Sequence, residues 1–214
     1  MRLGSSLAEV NEIVAAGYDR VADRYVELES PGTPWPRMRR LQGLLERIPV
    51  GGDVLDVGCG NGVSALEAIS ERHRATGIDL SSAQIEAAAR SVPEARLFHA
   101  DVSACDFGHG SFDAIVALYV LEHIPRENHR QLIARFFRWL RPGGYLLFTT
   151  EPSEDPGTVG KWLDEPMFFS QFDQATTRRI VEGVGFELLD QEVEAQLEGD
   201  QEIAYVWFLA RKGS

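Results

Sequence analysis

The sequence predicts an α/β protein whose mostly parallel, doubly wound sheet carries helices on both faces. Three observations favour this class. Short apolar runs alternate with amphipathic segments between positions 53 and 150, as in parallel sheets joined by crossover helices. The first run ends in a glycine-rich turn at 58–62. The last two apolar runs, 186–194 and 201–211, are too close together for a crossover helix, so they should pair antiparallel.

Residues 1–50 are expected to form a helical lid or cap on the main domain, which takes residues 51–214. Apolar side chains recur at helical spacing over 5–28, and Gly17 is expected to divide this stretch into two helices. Proline and glycine make 30–36 a turn-rich linker, so the first helices could open without disturbing the sheet. A further amphipathic helix then leads into the first strand.

The main domain is expected to contain seven strands and an aromatic insert at 151–172. Ser81 should cap the second helix, with Gln84 returning the hydrogen bond in a capping box. The strands are predicted at 53–57, 74–79, 96–100, 112–119, 143–150, 186–194 and 201–211, and their helices at 63–71, 82–91, 126–140 and 173–184.

Composition bounds the class of protein and its partners. The chain has 214 residues, of which 44% are hydrophobic and 25% charged, ordinary values for one globular α/β domain. The formal net charge of −12 would repel a phosphate backbone, which disfavours DNA or RNA as a partner. A basic cluster at Arg37, Arg39 and Arg40 is interpreted as an exposed helix face.

Cysteine and histidine usage predicts neither disulfides nor a metal. Cys59 and Cys105 form no disulfide framework and no CxxC signature, and the histidines have no metal-ligand spacing. The N-terminus lacks the apolar core of a signal peptide, and the longest apolar runs are too short to span a membrane. We therefore expect a cytoplasmic protein that does not associate with membranes.

The glycine-rich turn at 58–62 predicts a nucleotide-type cofactor at the start of a helix. Its third glycine comes one residue earlier than the dinucleotide fingerprint requires, and Val63 stands at the fingerprint position, which argues against a dehydrogenase. Asp79 ends the next strand, where a carboxylate can accept hydrogen bonds from both ribose hydroxyls of an adenosine. Alternatively, Asp79 only caps the helix that follows.

The Asp-x-Gly-x-Gly-x-Gly arrangement at 56–62 resembles the first motif of the class I S-adenosylmethionine (SAM) dependent methyltransferases. Segment 112–125 resembles the fourth motif of that family, and 140–144 resembles its turn before the fifth strand. Segment 162–173 is similar to a bacterial type that methylates small molecules. The resemblance implies a Rossmann-like, seven-stranded fold with a terminal antiparallel hairpin, and SAM as cofactor.

The resemblance also implies which residues meet SAM. The carboxylate of Asp101 would meet the adenine amino group, and the helix containing Tyr18 and Tyr25 would fold over the cofactor. Alternatively, that helix merely packs its two tyrosines. The full set of expected cofactor residues is Tyr18, Tyr25, Asp56, Gly58, Cys59, Gly60, Gly62, Asp79, Leu80, Asp101, Val102, Leu118 and Tyr119.

The expected reaction is methyl transfer to an O, N or S nucleophile of a small, mainly apolar and aromatic acceptor, achieved chiefly by proximity and alignment. The acceptor pocket is expected at Tyr119, His123, Trp162, Phe168 and Phe169. Because neighbouring residues of an extended chain point to opposite sides, at most one of the two phenylalanines should face the pocket. His123 is a candidate general base, with a purely structural histidine as the alternative.

A second class of function stays open, namely a SAM-binding regulatory or scaffold protein without turnover. Nothing in the sequence conflicts with it, because a fold and a cofactor site do not by themselves establish catalysis. The sequence also leaves open the acceptor, the methylated atom, and whether the protein is a monomer or a homodimer.

Overall fold

The computed structural model describes residues 6–28, 36–198 and 201–213, with backbone only at 23 and 25–28. The strands are β1 (Asp53–Val57), β2 (Arg74–Asp79), β3 (Arg96–His99), β4 (Phe112–Ala117), β5 (Leu140–Thr150), β6 (Asp155–Trp162), β7 (Glu165–Gln171), β8 (Phe186–Glu198) and β9 (Gln201–Lys212). The helices are α1 (Leu7–Leu28), α2 (Pro36–Leu45), α3 (Ala65–Ser70), α4 (Ser82–Ser91), α5 (Arg126–Trp139) and α6 (Gln174–Val184), with a 3₁₀ turn at Leu121–His123. None of these helices has an apolar stretch long enough to cross a membrane.

Seven strands form one sheet in the order β3-β2-β1-β4-β5-β9-β8, which confirms the predicted doubly wound architecture. The first five strands in this order are parallel, and β9 is antiparallel to both β5 and β8. In an open sheet of this kind, ligands bind beyond the carboxyl ends of the parallel strands, where the strand order reverses. Here that reversal lies between β1 and β4.

Each face of the sheet is buried under a different set of helices. Leu55 and Ile115 belong to the core beneath α5 and α6, which supply residues such as Phe136. Val54 belongs to the opposite core, beneath α2, α3 and α4, together with Ile69. The side chains alternate between faces because successive strand residues point in opposite directions. Burying each of these side chains stabilises the fold by about 1.5–3 kcal/mol.

The division of the N-terminal stretch at Gly17 was wrong, because α1 is one continuous helix. Gly17 does not interrupt the helix; it allows α1 to pack closely on β7. A Cβ atom at this position would lie 2.8 Å from Met167 Cε and 3.0 Å from the Pro166 carbonyl oxygen, so only a glycine lets α1 approach β7 this closely. Val10 and Val14 bury their side chains in the same contact.

The aromatic insert predicted at 151–172 contains a separate two-stranded antiparallel sheet, β6 and β7, which the sequence analysis did not predict. Leu163 and Asp164 connect its strands with positive φ angles of 47° and 66°. Hairpin turns of this shape usually contain glycine or asparagine, so Leu-Asp gave no hairpin signal in the sequence. One face of the hairpin packs on α1, with Met167 fully buried.

The arginines of α2 do not form an exposed face as predicted, apart from Arg39, whose side chain is 68% exposed. The Arg40 side chain is only 8% exposed and pairs with Asp190, Glu192 and Glu194 on β8. Arg37 is 6% exposed and turns toward the sheet. An arginine can bury its apolar stem while its charge meets acceptors, which residue spacing alone does not reveal.

We predict that Gly17→Val weakens the docking of α1 on the β6–β7 hairpin. The added side chain must displace Met167 and the backbone at Pro166, which should lower the free energy of opening α1 by about 1–3 kcal/mol. Hydrogen exchange of the α1 amides measures this opening. Gly43→Val in α2 is the matched control, since nothing lies within 4 Å of a Cβ there. Equal exchange in both variants would contradict the close packing.

Candidate active site

The exit of β4 places Tyr119 at the centre of the carboxyl edge of the sheet. Its φ angle of 59° lies in the left-handed region, which costs a residue other than glycine about 1–3 kcal/mol. Several contacts maintain this conformation. Its amide donates to Thr149 Oγ1 at 2.7 Å, its hydroxyl donates to Gln196 Oε1 at 2.9 Å, and its ring meets the edge of Tyr205 at 4.6 Å between centroids.

The glycine-rich turn after β1 approaches two neighbouring segments closely. Gly58 has a φ of 65°, and a Cβ atom there would lie 2.4 Å from Val120 Cγ2, so a side chain would push apart the exits of β1 and β4. Gly60 N and Ser81 N each donate to the Asp79 carboxylate at 2.9 Å. Burial raises the pKa of Asp79, and the amide hydrogen bonds oppose that shift.

A cavity of about 780 Å³, including solvent at its mouth, lies above this turn. It collects nine of the predicted cofactor residues from α1, the end of β2 and the segments that follow β1, β2, β3 and β4. These are Tyr18, Gly58, Gly60, Asp79, Leu80, Asp101, Val102, Leu118 and Tyr119. We call it the cofactor cavity. Its position beyond the parallel strands is that of a nucleotide-type ligand site.

Two lining residues that sequence reasoning missed add polar groups to the cofactor cavity. Asn11 Nδ2 donates to Asp101 Oδ2 at 2.9 Å, while Ser103 N donates to the other oxygen at 2.7 Å. Gln84 is 1% exposed, and its side-chain nitrogen and oxygen have no hydrogen-bond partner in the described part of the chain. Its backbone N–H donates to Ser81 Oγ as predicted, but its side chain does not return the bond. Unpartnered buried amides fit a ligand with donors and acceptors, such as an adenine.

A smaller cavity of about 340 Å³, with solvent at its mouth included, shares Gly58, Gly60, Leu118 and Tyr119 with the cofactor cavity. Asp56 and Cys59, both predicted cofactor residues, line it together with Arg37. Arg37 Nη1 donates to Ser64 Oγ at 2.8 Å, and its guanidinium lies 5.1 Å from the centroid of the Tyr119 ring. A planar cation of this kind suits a carboxylate. Sequence reasoning missed Arg37 because the three neighbouring arginines resembled a solvated surface.

Some predicted cofactor residues are not placed against the cofactor cavity. A Cβ atom on Gly62 would lie 3.3 Å from Ala88 and Val92, so this glycine lets the turn pack on α4. Burial raises the pKa of the Cys59 thiol, which packs beneath the turn as an apolar group. The side chain of Tyr25 lies outside the described residues.

His123 is buried between α1 and the β6–β7 hairpin. Its Nδ1 lies 2.9 Å from the Phe168 carbonyl oxygen, which can only accept, so Nδ1 carries the proton. Its Nε2 therefore accepts a hydrogen bond from the Tyr18 hydroxyl, at 2.9 Å. Burial lowers the pKa of His123 to about 4, which keeps the ring neutral at physiological pH. The imidazole is thus held by a hydrogen bond at each nitrogen.

A second cavity, of about 720 Å³ with solvent at its mouth included, adjoins the cofactor cavity and shares Tyr18, Tyr119 and His123 with it. We call it the acceptor cavity. Trp162 and Phe169 line it as predicted. Phe168 does not, because its side chain packs toward α1 in the contact with Val10 and Val14, as expected for neighbours on a strand. The lining is also less apolar than predicted, since it includes Glu122, Glu151, Lys161, Glu198 and Gln201.

Known proteins with related sequences are methyltransferases. Residues 54–144 match the family model described as "Methyltransferase domain". A ubiquinone biosynthesis O-methyltransferase from Paracidovorax citrulli (strain AAC00-1) is 31% identical over 157 residues, which make up 69% of this chain and 65% of that protein. The chain therefore spans slightly less than two thirds of the length of this curated relative.

Solved structures with the same fold have lower sequence identity. The 1,6-didemethyltoxoflavin N1-methyltransferase of Burkholderia thailandensis, crystallised with 1,6-didemethyltoxoflavin and S-adenosylhomocysteine, superposes with a TM-score of 0.75 at 19% identity, covering 100% of this chain and 93% of that one. The (4+2)-cyclase SpnF has a TM-score of 0.73, also at 19% identity, over 95% of this chain and 97% of that one. At this level of sequence identity, the two similarities show a shared fold alone.

The matched domain spans β1 to the start of β5, which are the strands that carry the glycine-rich turn, Asp79 and the exit at Tyr119. The sequence relative and the cofactor cavity agree with that match. Residues 54–144 are a methyltransferase domain, and the chain is similar to the class I SAM-dependent methyltransferases, whose cofactor is S-adenosyl-L-methionine.

Proposed function

We propose that this protein transfers the methyl group of SAM to an O, N or S nucleophile of a small molecule. The observation that carries the proposal is the pair of adjoining cavities with Tyr18, Tyr119 and His123 in their common wall. A methyl transferase needs a donor site and an acceptor site that meet at one boundary, because the reacting atoms must come within about 3–3.5 Å of each other.

The residues of the cofactor cavity match the parts of SAM. Asp79, at the end of β2, has lone pairs for the ribose hydroxyls, and Asp101, which accepts a hydrogen bond from Asn11, would meet the adenine. Arg37 would provide a cation for the carboxylate of the methionine part, in the smaller cavity beside the glycine-rich turn. Gln84 offers an unpartnered amide for the base. We propose these as the cofactor contacts.

Bound SAM supplies a methyl group that is already activated by a positive sulfur. The chain has only to align an acceptor with that group and to keep water out. Tyr119 is fixed by its amide, hydroxyl and ring, and His123 by both ring nitrogens. Side chains held this firmly can act as a rigid boundary between donor and acceptor.

The hydrogen bonds of His123 argue against a role as general base. Its Nε2 already accepts from Tyr18, and a pKa of about 4 makes the ring a weak base at neutral pH. We therefore assign His123 to positioning Tyr18 and the β6–β7 hairpin. The structural alternative that the sequence left open is the one that we favour.

The nature of the nucleophile is a proposal. The curated relative is named an O-methyltransferase, and a structural neighbour is named an N1-methyltransferase, so oxygen and nitrogen are both supported candidates. The cyclase neighbour illustrates that this fold also occurs in a protein named for another reaction, which keeps a function without methyl turnover as the alternative. A cytoplasmic location, and no partnership with nucleic acids or membranes, stay predictions.

A turnover assay distinguishes a methyltransferase from a protein that only binds SAM. The protein is incubated with SAM and a panel of phenols, amines and thiols, and formation of S-adenosylhomocysteine is followed. We expect at least one acceptor to raise product formation above the rate without acceptor. Saturating SAM binding with no product from any acceptor would favour a regulatory or scaffold role.

We predict that Asp79→Ala weakens binding of SAM and S-adenosylhomocysteine by about 1–3 kcal/mol through lost charge-assisted hydrogen bonds. Asp79→Asn keeps one acceptor oxygen and should weaken binding less. Calorimetric titration measures both effects, and Glu94→Ala at an exposed position outside the cavities is the control. Tight binding of NAD without binding of SAM would contradict the cofactor assignment.

We predict that His123→Ala lowers turnover only modestly, by about tenfold or less, without altering the pH dependence between about pH 6 and 8. The reason is that a ring with a pKa of about 4 is neutral across this whole interval and gives no titration step within it. Tyr18→Phe removes the hydroxyl that bonds Nε2 and should behave similarly. A loss of about 100-fold together with a vanished acidic limb would identify a general base.

We propose that α1 is the lid predicted within residues 1–50, since α2 packs Leu41 and Leu44 into the core of the domain at 51–214. Asn11, Val14 and Tyr18 of α1 line the cofactor cavity, so the bound cofactor should hold α1 closed. Hydrogen exchange of amides around Tyr18 is expected to slow when S-adenosylhomocysteine is added. Amides of β4 provide the internal control. If hydrogen exchange in α1 is unchanged at saturating ligand, α1 is a packed helix and not a lid.

A further inference from the structure

The acceptor cavity contains more carboxyl groups than methyl transfer itself requires. Glu122 in the 3₁₀ turn, Glu151 after β5 and Glu198 at the end of β8 all line it. Lys161 is the one lysine or arginine among the described lining residues. It lies on the exposed side of β6 and forms no ion pair in the part of the chain that the structure describes. Three carboxyl groups therefore face a single ammonium group.

Glu122 distinguishes this cluster from a solvated acidic surface. It is 2% exposed, and its Oε2 atom has no hydrogen-bond partner among the described residues. Leaving a carboxyl oxygen buried without a hydrogen-bond partner is unfavourable, so such atoms require an explanation. The cavity beside it offers one, because a ligand can supply the missing donor.

The other two carboxyl groups are only partly satisfied by the protein. Glu151 Oε2 accepts from Gln171 Nε2 at 3.1 Å, and Glu198 Oε1 accepts from Gln196 Nε2 at 2.8 Å and from the Tyr205 hydroxyl at 3.0 Å. These donors are all neutral. Burial raises the pKa of Glu122 well above its usual range, and the charges of Glu151 and Glu198 raise it further. A cation within the cavity would oppose this shift and favour the ionised form of Glu122.

The chemistry of the surroundings favours an organic cation. The described residues include no group of three or more His, Cys, Asp or Glu side chains placed to hold a metal ion. Trp162, Phe169 and Tyr205 line the same cavity, so an occupant meets aromatic rings as well as carboxyl groups. Aromatic faces attract organic cations and the apolar groups attached to them.

We propose that the acceptor carries a protonated amine or amidinium group, which Glu122, Glu151 and Glu198 bind while another part of the molecule faces the shared wall at Tyr119. The inference rests on the proposed function, since it names the class of acceptor for the same site. It revises the expectation of a mainly apolar acceptor to an aromatic or apolar molecule with a cationic group.

The test compares fragments that differ in charge but not in shape. The probes are tyramine with tyrosol, phenethylamine with 2-phenylethanol, and benzamidine with benzamide. Their dissociation constants are measured by ligand-detected NMR on the full chain, with and without S-adenosylhomocysteine. Charge-assisted hydrogen bonds to a buried carboxylate should make the cation of at least one pair bind about tenfold more tightly.

Isosteric variants assign the preference to the cluster. Glu122→Gln keeps the shape of the side chain and removes its charge, so the preference for the cation should fall about fivefold or more, with Glu151→Gln as a second variant. Glu202→Gln, an exposed glutamate on β9, is the matched control and should keep the preference. Thermal unfolding followed by circular dichroism identifies any variant that fails to fold.

Three results would overturn the proposal: equal binding of cationic and neutral partners, a preference that persists in both cluster variants, or no binding of any probe. Calorimetric binding of S-adenosylhomocysteine is measured on the same samples. If it binds and the cations show no preference, the acceptor inference fails and the proposed function stands. If it does not bind, the proposed function fails independently of the fragment result.

Discussion

The junction of α1, the β6–β7 hairpin and the main sheet depends on the buried, neutral imidazole of His123. Its two nitrogens bond to different elements, Nδ1 to the Phe168 carbonyl in β7 and Nε2 to the Tyr18 hydroxyl in α1. The residue itself belongs to the 3₁₀ turn after β4. One side chain therefore joins the N-terminal helix, the added hairpin and the carboxyl edge of the main sheet. Without both partners, a buried imidazole would leave a polar atom unsatisfied, so each element needs the others in place.

Two loops at the same edge complete the arrangement, and each is held in a conformation that ordinary packing would not favour. The turn after β1 brings Gly58 against Val120, and Tyr119 keeps a left-handed backbone. Asp79 accepts bonds from Gly60 and from Ser81, which connects β2 to that turn. The strained backbone of Tyr119 lies in the wall that the two cavities share, and strained residues are common where a fold positions ligands.

Local patterns predicted the parallel sheet well, whereas features that depend on distant neighbours were missed. Alternating apolar runs located β1 to β5, because their side chains are buried on both faces. The β6–β7 hairpin was missed because Leu163 and Asp164 form its turn without glycine. Arg37 and Glu122 were missed for another reason. Whether a charged side chain is buried is decided by elements far away in the sequence, and no spacing rule encodes that.

Tyr18 lines both the cofactor cavity and the acceptor cavity, and it belongs to α1. Movement of α1 away from the sheet would open the cofactor cavity and the acceptor cavity together, since the Tyr18 side chain lines both of them. Departure of the used donor and of the methylated product would then draw on one motion instead of two. Turnover could not exceed the frequency of that motion, however well the reacting atoms are aligned. The rate of ligand exchange would thus depend on how firmly the β6–β7 hairpin packs on α1, through the hydroxyl of Tyr18.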